Sequence, residues 1–483
     1  MSTAKHLTIL QINDTHGYVE EHYEQFNTGG QNVKHVLAGG YGRIGAYVKS
    51  VREHKSNAVL FLDGGDTFHG TYPVVQSKGM DIIPLLNKMQ LDAMTAHWEF
   101  AYGPQHFEEI TRQLNYPMLA INCYRRDSNE LVFKPFLIKE INGLKVGIIG
   151  IAATIVDKVM PQKFSEGIYF TTGNEELPDY INQLKQSQAV DLIVVLSHLG
   201  FPQDVKLASE TRGIDILLSA HTHNRMYKPV RINDALIMQS GCHGSFIGHL
   251  DIEVTNGKVT SYEHHLVLLD ESIAPDPEMI TLVNDLMKPY RGYLQEIVGH
   301  TATILDRYHS FESTMDNFLL QAVLEQTEAD MAFSNGWRYG APIPEGPITM
   351  NDLWNIIPVN APITILKMKG HEIIDMLEEN LEHTFSANPY SQMGGYVKRC
   401  LGLNFYVKIE NPPGERIQSL FINEKAVENN RDYTVASVTS QGVPLKYGSQ
   451  RNKTGNKAIE VLVSYLKRYP LVHAPLRGTV IAV

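Results

Sequence analysis

Aspartate and histidine recur in this sequence directly after short apolar runs, and that placement carries most of its chemical information. Leu7–Ile12 runs into Asn13-Asp14-Thr15-His16-Gly17, and Ala58–Leu62 into Asp63-Gly-Gly-Asp66-Thr-Phe-His69-Gly70. Asp92–Thr95 leads to Ala96-His97-Trp98-Glu99-Phe100, Asp191–Leu196 to Ser197-His198-Leu199-Gly200, and Ile214–Leu218 to Ser219-Ala220-His221-Thr222-His223-Asn224. Imidazole and carboxylate together suit Mn, Fe, Zn or Co, and an excess of histidine pulls away from Mg and Ca. One Asp-x-His or His-x-His is a weak signal. Several such segments, each closing a strand-like run, are a strong one. Asp14, His16, Asp66, His97, His198, His221 and His223 are therefore the predicted ligands of two divalent ions. Two ions roughly 3.5–4 Å apart and bridged by a carboxylate form a clamp for hydrolytic displacement, so hydrolysis is the predicted chemistry.

Such ligands need a scaffold that gathers distant segments. The runs above, with Met118–Ile121, Val146–Ile151 and Ala235–Met238, are short, β-branched and continuous rather than alternating. Strands covered on both faces look like this. With amphipathic stretches between them they predict an α/β domain with a layered sheet, and in open α/β sheets ligands bind at the carboxyl ends of strands. The pattern breaks at about 264–300. Ala274-Pro-Asp-Pro277 supplies turn chemistry, and Ile280, Leu282, Val283, Leu286 and Met287 then have helical spacing, which predicts a connecting helix over 277–297. Beyond it, helices are expected near 311–327, 351–356 and 370–383, with strands afterwards. There is no internal repeat or low-complexity tract.

At 483 residues the chain is long enough for two or more domains, each with its own core. A net charge of −11 argues against a general nucleic-acid binder. It leaves a small anionic substrate open, because metal ions supply positive charge locally. The cysteines, Cys123, Cys242 and Cys400, lie far apart without metal-binding spacing, and are expected to be buried free thiols. No apolar run is long enough to cross a bilayer, and no basic-then-apolar leader opens the sequence as written. The expectation is a cytoplasmic protein with no membrane and no nucleic-acid partner.

The order and wording of these motifs resemble the calcineurin-like metallophosphoesterases, and more closely the 5′-nucleotidase branch, over essentially the whole chain. The resemblance implies a layered α/β/β/α metallophosphoesterase domain over 1–268, a connecting helix over 277–297, and a smaller α+β substrate-binding domain over 298–483. It implies that Asp14, His16 and His223 hold one ion, that His97, His198 and His221 complete the other, and that Asp66 bridges. The ions would be Mn or Zn, with Fe also accepted. Arg338, in Ser334-Asn335-Gly-Trp-Arg338, matches the arginine that grips the substrate's anionic group in that family; a planar guanidinium suits a tetrahedral oxyanion. Asn335 beside it and Tyr396 in Met393-Gly-Gly-Tyr396 complete the substrate-binding candidates. Asn122 sits where the family has an asparagine near its site. Members of that family are often exported.

Departures from the pattern are as informative. The third element reads Gly-Asn-His-Glu-Phe-Asp in 5′-nucleotidases; here it reads Ala96-His97-Trp98-Glu99-Phe100-Ala101. A ligand survives as His97, but the catalytic histidine has become Trp98 and the aspartate that orients it Ala101. A positioned acid of that kind is worth about 10²–10⁴ in rate, roughly 3–5 kcal/mol. Its loss disfavours sugar alkoxides as leaving groups, or else calls for another donor, with His69 nearest. Asn122, Trp98 and His69 are thus the catalytic candidates. The loop Ser440-Gln-Gly-Val-Pro-Leu-Lys-Tyr447 lacks the Gly-Gly-Asp-Gly-Tyr-like nucleoside wall.

The His-Trp-Glu-Phe segment and the Asn388-Pro-Tyr390…Gln392-Met-Gly-Gly395 loop look like the thiosulfohydrolase of the Sox system, with a weaker echo in Ser464-Tyr-Leu-Lys-Arg468. Two main readings follow. One is a phosphoester hydrolase in which a metal-activated hydroxide attacks a nucleotide or related ester. The alternative is a sulfur-ester hydrolase that releases sulfate from a thiosulfonate on a carrier protein. A non-catalytic binding protein is the third; the intact ligand set counts against it.

Overall fold

The computed structural model describes residues 4–29, 32–55 and 58–483. The chain divides into two compact units. One comprises the residues up to Phe26 together with Val36–Pro289; the other comprises Asn27–His35 and Tyr290–Val483.

In the first unit, a five-stranded sheet runs in the order Lys258–Leu268, Phe246–Thr255, Lys5–Ile12, Val59–Asp63, Ala93–Met94. A six-stranded sheet runs Val230–Ile232, Ala235–Met238, Ile216–Leu218, Leu192–Ser197, Leu144–Ile151, Phe136–Ile141. Its four central strands are mutually parallel, and both its edges are antiparallel. Alternate side chains of the two sheets share one apolar layer: Leu7, Ile9, Leu60 and Leu62 from the first, Val146, Ile148, Leu192, Val194 and Leu196 from the second. The intervening residues Ile149, Ile151, Ile193 and Val195 pack against Leu177, Ile181 and Leu184 and against Leu207 and Ala208 of the helix Phe201–Glu210. Both faces of the second sheet's central strands are covered, so these strands are apolar over most of their length.

The first sheet's hairpin, Phe246–Thr255 with Lys258–Leu268, and the edge strand Phe136–Ile141 escape a search for continuous apolar runs. Phe246–Thr255 is buried only at alternate residues over its second half. Met118–Ile121, expected as a strand, makes only single bridges to Met94 and Lys134.

The expected 277–297 helix differs from what forms. A helix spans Pro277–Met287, and a separate short helix spans Arg291–Leu294. Pro289 accounts for the break: it has no N–H to offer the carbonyl four residues back, and its ring crowds that carbonyl, although Lys288 before it keeps helical dihedrals, φ −49° and ψ −45°. Asp276 caps the first helix, its carboxylate accepting from the N–H groups of Glu278 and Met279, which is worth about 1 kcal/mol. That helix packs on Tyr41–His54, where a Cβ on Gly42 or Gly45 would stand 2.7 Å from Ile280 or Met279. It belongs to the first unit.

The second unit is α+β. Its main sheet runs Arg399–Leu401, Met331–Ser334, Asp432–Ser437, Pro362–Lys369, Ser449–Lys457. Thr314–Thr327, Met350–Ile356 and Gly370–Phe385 supply the expected helices. Ile373, Met376, Leu377 and Leu381 of the last pack with Met331, Phe333, Leu366 and Met368 of the sheet. Cys123, Cys242 and Cys400 are free and buried. No helix among the described residues is long and apolar enough to cross a membrane.

Candidate metal centre

Each expected ligand sits just past the carboxyl end of a strand of one of the two sheets. Asp14 and His16 follow Lys5–Ile12, Asp66 follows Val59–Asp63, His97 follows Ala93–Met94, His198 follows Leu192–Ser197, and His221 and His223 follow Ile216–Leu218. Asp14, His16, Asp66, His221 and His223 all have φ between 48° and 71°. This left-handed region costs a non-glycine residue about 1–2 kcal/mol, and such strain collects at functional sites.

Hydrogen bonds weave the turns into one piece. The N–H groups of Asp14 and His16 donate to the carbonyls of Gly65 and Asp66 at 2.8 and 2.7 Å. Asp14 Oδ2 accepts from His221 N–H at 2.9 Å and from Asn13 Nδ2 at 2.7 Å. Asp66 Oδ1 accepts from the Trp98 N–H at 2.8 Å. Glu99, fully buried, takes the N–H groups of Thr67 and His97, both at 2.6 Å.

The donor atoms then converge in two sets that share Asp66. Asp66, His97, His198 and His221 form one, and Asp14, His16, Asp66 and His223 the other, with one donor atom per residue and all such atoms within 4.8 Å in each set. Asp66 Oδ2 is the hub, 3.1 Å from His97 Nδ1, 3.3 Å from His198 Nε2 and 3.8 Å from His16 Nε2. His16 Nδ1 faces the His69 carbonyl at 3.1 Å and His198 Nδ1 the Gly64 carbonyl at 2.6 Å. Each ring thus donates its Nδ1–H backwards and turns its Nε2 into the cluster, the arrangement usual behind a metal-bound histidine.

His16 Nε2 lies only 3.3 Å from His223 Nε2. Among the described residues Asp14 Oδ1, His97 Nε2 and His198 Nε2 are buried without a hydrogen-bond partner. Burial would raise the Asp66 pKa, but the charges of His97 and His198 hold it well below the usual carboxylate range. Burial opposes charge on His198, yet Asp66 and Asp14 push its pKa up to about 10. Two carboxylates and several inward lone pairs demand positive charge, and the donor set is compatible with divalent metal ions.

The calcineurin-like phosphoesterase family matches residues 7–225, and the 5′-nucleotidase C-terminal domain matches residues 297–439. The chain joins a calcineurin-like phosphoesterase domain to a 5′-nucleotidase C-terminal domain. It is 25% identical to the 5′-nucleotidase of Diplobatis ommata, over 99% of this chain and 90% of that one. It is also 25% identical to the snake venom 5′-nucleotidase of Gloydius brevicauda, over 98% and 88%. Among solved structures, the sulfate thiohydrolase SoxB of Thermus thermophilus superposes with a TM-score of 0.92 at 22% identity, over 99% of this chain and 96% of that one. A 5′-nucleotidase precursor, also from Thermus thermophilus, superposes with a TM-score of 0.87 at 23% identity, over 99% of both chains. At these identities the superpositions establish the layered 5′-nucleotidase fold.

Within this family frame the other candidates separate. Trp98 and His69 stack, with centroids 4.6 Å apart and planes inclined by 24°. Asn122 is buried and spends both amide protons on the carbonyls of Ala152 and Thr171, at 2.9 and 3.0 Å, while its oxygen accepts from Ala152 N–H at 2.9 Å. It ties three loops together. In the second unit, Arg338 Nη2 donates to the Gly395 carbonyl at 3.0 Å, and its guanidinium lies 5.0 Å from the Tyr396 ring centroid, a cation–π contact. The Tyr396 N–H donates to Gly336 at 2.7 Å, so the two loops are joined; Asn335 is half-buried beside them.

Sequence reasoning missed Asn13, Glu99 and Asp204. Asn13 and Glu99 lie inside the motifs already singled out. Asp204 accepts from Ser197 Oγ at 2.6 Å and so supports the turn carrying His198. Its place on a helix after Gly200 gave no local sign of that role.

Proposed function

We propose that this chain is a dinuclear metal-dependent hydrolase of phosphate esters, with Asp14, His16 and His223 at one ion, His97, His198 and His221 at the other, and Asp66 shared. The observation that carries the reading is Asp66 Oδ2, which faces histidine nitrogens of both sets. Mn and Zn suit the ligands best, and Fe is also accepted. Two such ions would supply Lewis-acid polarisation of the ester and an activated water.

The protein's own groups orient. The Trp98 N–H and Glu99 aim Asp66 and His97, and the backbone carbonyls of His69 and Gly64 fix the tautomers of His16 and His198. Arg338, Asn335 and Tyr396 are the proposed substrate-binding residues, for an anionic group and an aromatic or other planar one. Trp98 and Ala101 stand where the family's acid dyad would be, so the substrate is a small phosphate ester, a nucleotide or relative, whose leaving group departs with little protonation. Phosphate release from aryl phosphates, pyrophosphate-type nucleotides and nucleoside monophosphates, with Mn or Zn, tests this. Rates should fall steeply as the leaving group becomes more basic, and absence of turnover across the whole panel overturns the reading.

A second reading, hydrolysis of a sulfur ester, draws support from Trp98 in the His97-Trp98-Glu99-Phe100 segment and from the likeness to SoxB. Sulfate release from a cysteine S-thiosulfonate on a carrier protein, without phosphate release from any ester, would select it.

A further inference from the structure

Beyond the seven-residue cluster a second group of imidazoles converges. His22 opens the strand His22–Gly29, and Glu24, two residues on, points to the same face. His243 lies in the turn that follows the strand Ala235–Met238. One donor atom from each of His22, Glu24 and His243 lies within 4.8 Å of the others. Glu24 and His243 are fully buried and His22 is half-buried. The rings of His22 and His243 meet edge to face at 5.7 Å.

Tautomers favour a cation. His22 Nδ1 faces the Glu20 carbonyl at 3.4 Å, and its Nε2 lies 3.0 Å from the Ser245 hydroxyl. Donation backwards from Nδ1 leaves Nε2 as the nitrogen with a lone pair, as in a metal-bound histidine. His243 Nε2 is buried and has no hydrogen-bond partner among the described residues. A buried ring nitrogen without a partner, beside a carboxylate and a second inward-turned imidazole, is costly to leave unliganded.

We propose that His22, Glu24 and His243 form a third cation site, for one divalent ion of the Zn or Fe(II) type. Two histidines and one carboxylate are the ligand set of open Zn and non-haem Fe(II) sites, and two imidazoles disfavour Mg and Ca. Its role is structural. His243 N–H donates to the Asp14 carbonyl at 2.7 Å, and its ring lies 6.1 Å from those of His16 and His223. An ion there braces the turn that holds Asp14 against the strand His22–Gly29. It is also the weakest of the three, because Arg225 already pairs with Glu24 Oε1 and the other two ions lie close by.

The site stands apart from the dinuclear reading, and the test keeps the two separate. Full-length protein is stripped with chelator and retitrated with Zn or Co, and bound metal is counted by mass spectrometry for wild type, His22→Gln, His243→Asn and Asp66→Asn. Wild type should take three ions. His22→Gln and His243→Asn should take two, losing the equivalent released at the lowest chelator concentration, and Asp66→Asn should keep that equivalent. Ring 15N shifts of His22 and His243 in wild-type protein should move on addition of the last equivalent, a readout that survives misfolding of any variant. Equal metal counts in wild type and His22→Gln, with unmoved ring shifts, overturn the proposal. A dinuclear site that failed to load would leave wild type with the same single ion that Asp66→Asn retains.

Discussion

Trp98 lies flat against His69, their ring centroids 4.6 Å apart. Trp98 has no titratable group, so a proton from this stack would have to come from His69. Burial, with the charge of His16 next, lowers the His69 pKa to about 3, so the ring is neutral near pH 7 and carries no spare proton.

Restoring the dyad therefore has a directional outcome. Trp98→His combined with Ala101→Asp should raise turnover of alkyl phosphates by up to about 10²-fold, the lower end of what a positioned acid contributes. Aryl phosphates should change little. Equal gains for both classes would show that Trp98 acts by some route other than the absence of an acid.

Asp66 should be the least replaceable residue. Asp66→Asn removes the charge shared by both sets, and metal content and hydrolysis should fall together, activity by more than about 10²-fold, beyond what outer-shell changes cost. Metal analysis beside a rate measurement checks it.

Glu99 should be felt through the metal rather than through substrate. Glu99→Gln weakens two charge-assisted bonds, to Thr67 and His97, both 2.6 Å long. Metal affinity should drop about 10–100-fold with KM unchanged at saturating metal. A rise in KM with metal affinity intact would place Glu99 at the substrate instead.

Metal binding should release protons. His198 is raised from 6.5 to about 10 by Asp66 and Asp14 against its burial. A raised folded pKa means that its stabilising contribution to the chelated protein is complete below pH 6.5 and is lost as pH rises towards 10. At pH 8 a divalent ion must displace that proton. Titration calorimetry of chelated protein in buffers of different ionisation enthalpy should report about one proton released from this residue, and none in His198→Asn. His16, lowered to about 4 by burial, has the opposite sign: its contribution favours the fold above pH 6.5 and erodes between 6.5 and about 4.

In the second unit, Asp316 is buried between Arg307, at 3.0 Å, and Arg399, at 3.5 Å, and also accepts from Ser313 and Ser334. Removing one partner from a buried ionic group costs about 3–5 kcal/mol. Asp316→Ala should lower the urea midpoint accordingly, and a shift under about 1 kcal/mol would mean that the two guanidinium groups find water there.

The amino-acid sequence by itself determined the layered sheets and the residues at their ends. Strands covered on both faces must be apolar throughout, so Leu192–Ser197 and Val59–Asp63 announce themselves, and the first polar residues after them are where ligands gather. Edge strands such as Phe136–Ile141 carry no such constraint and went unseen, as did the break at Pro289 inside a convincing helical spacing. Tertiary structure alone decided which nitrogen each histidine presents, because carbonyls from other loops (Gly64 for His198, His69 for His16) set the tautomer. It alone revealed that Asn122 is spent on backbone, and that the rings of His22 and His243, far apart along the chain, meet edge to face. Such pairings are settled by the packing of turns from different strands, a long-range property with no local periodicity to betray it.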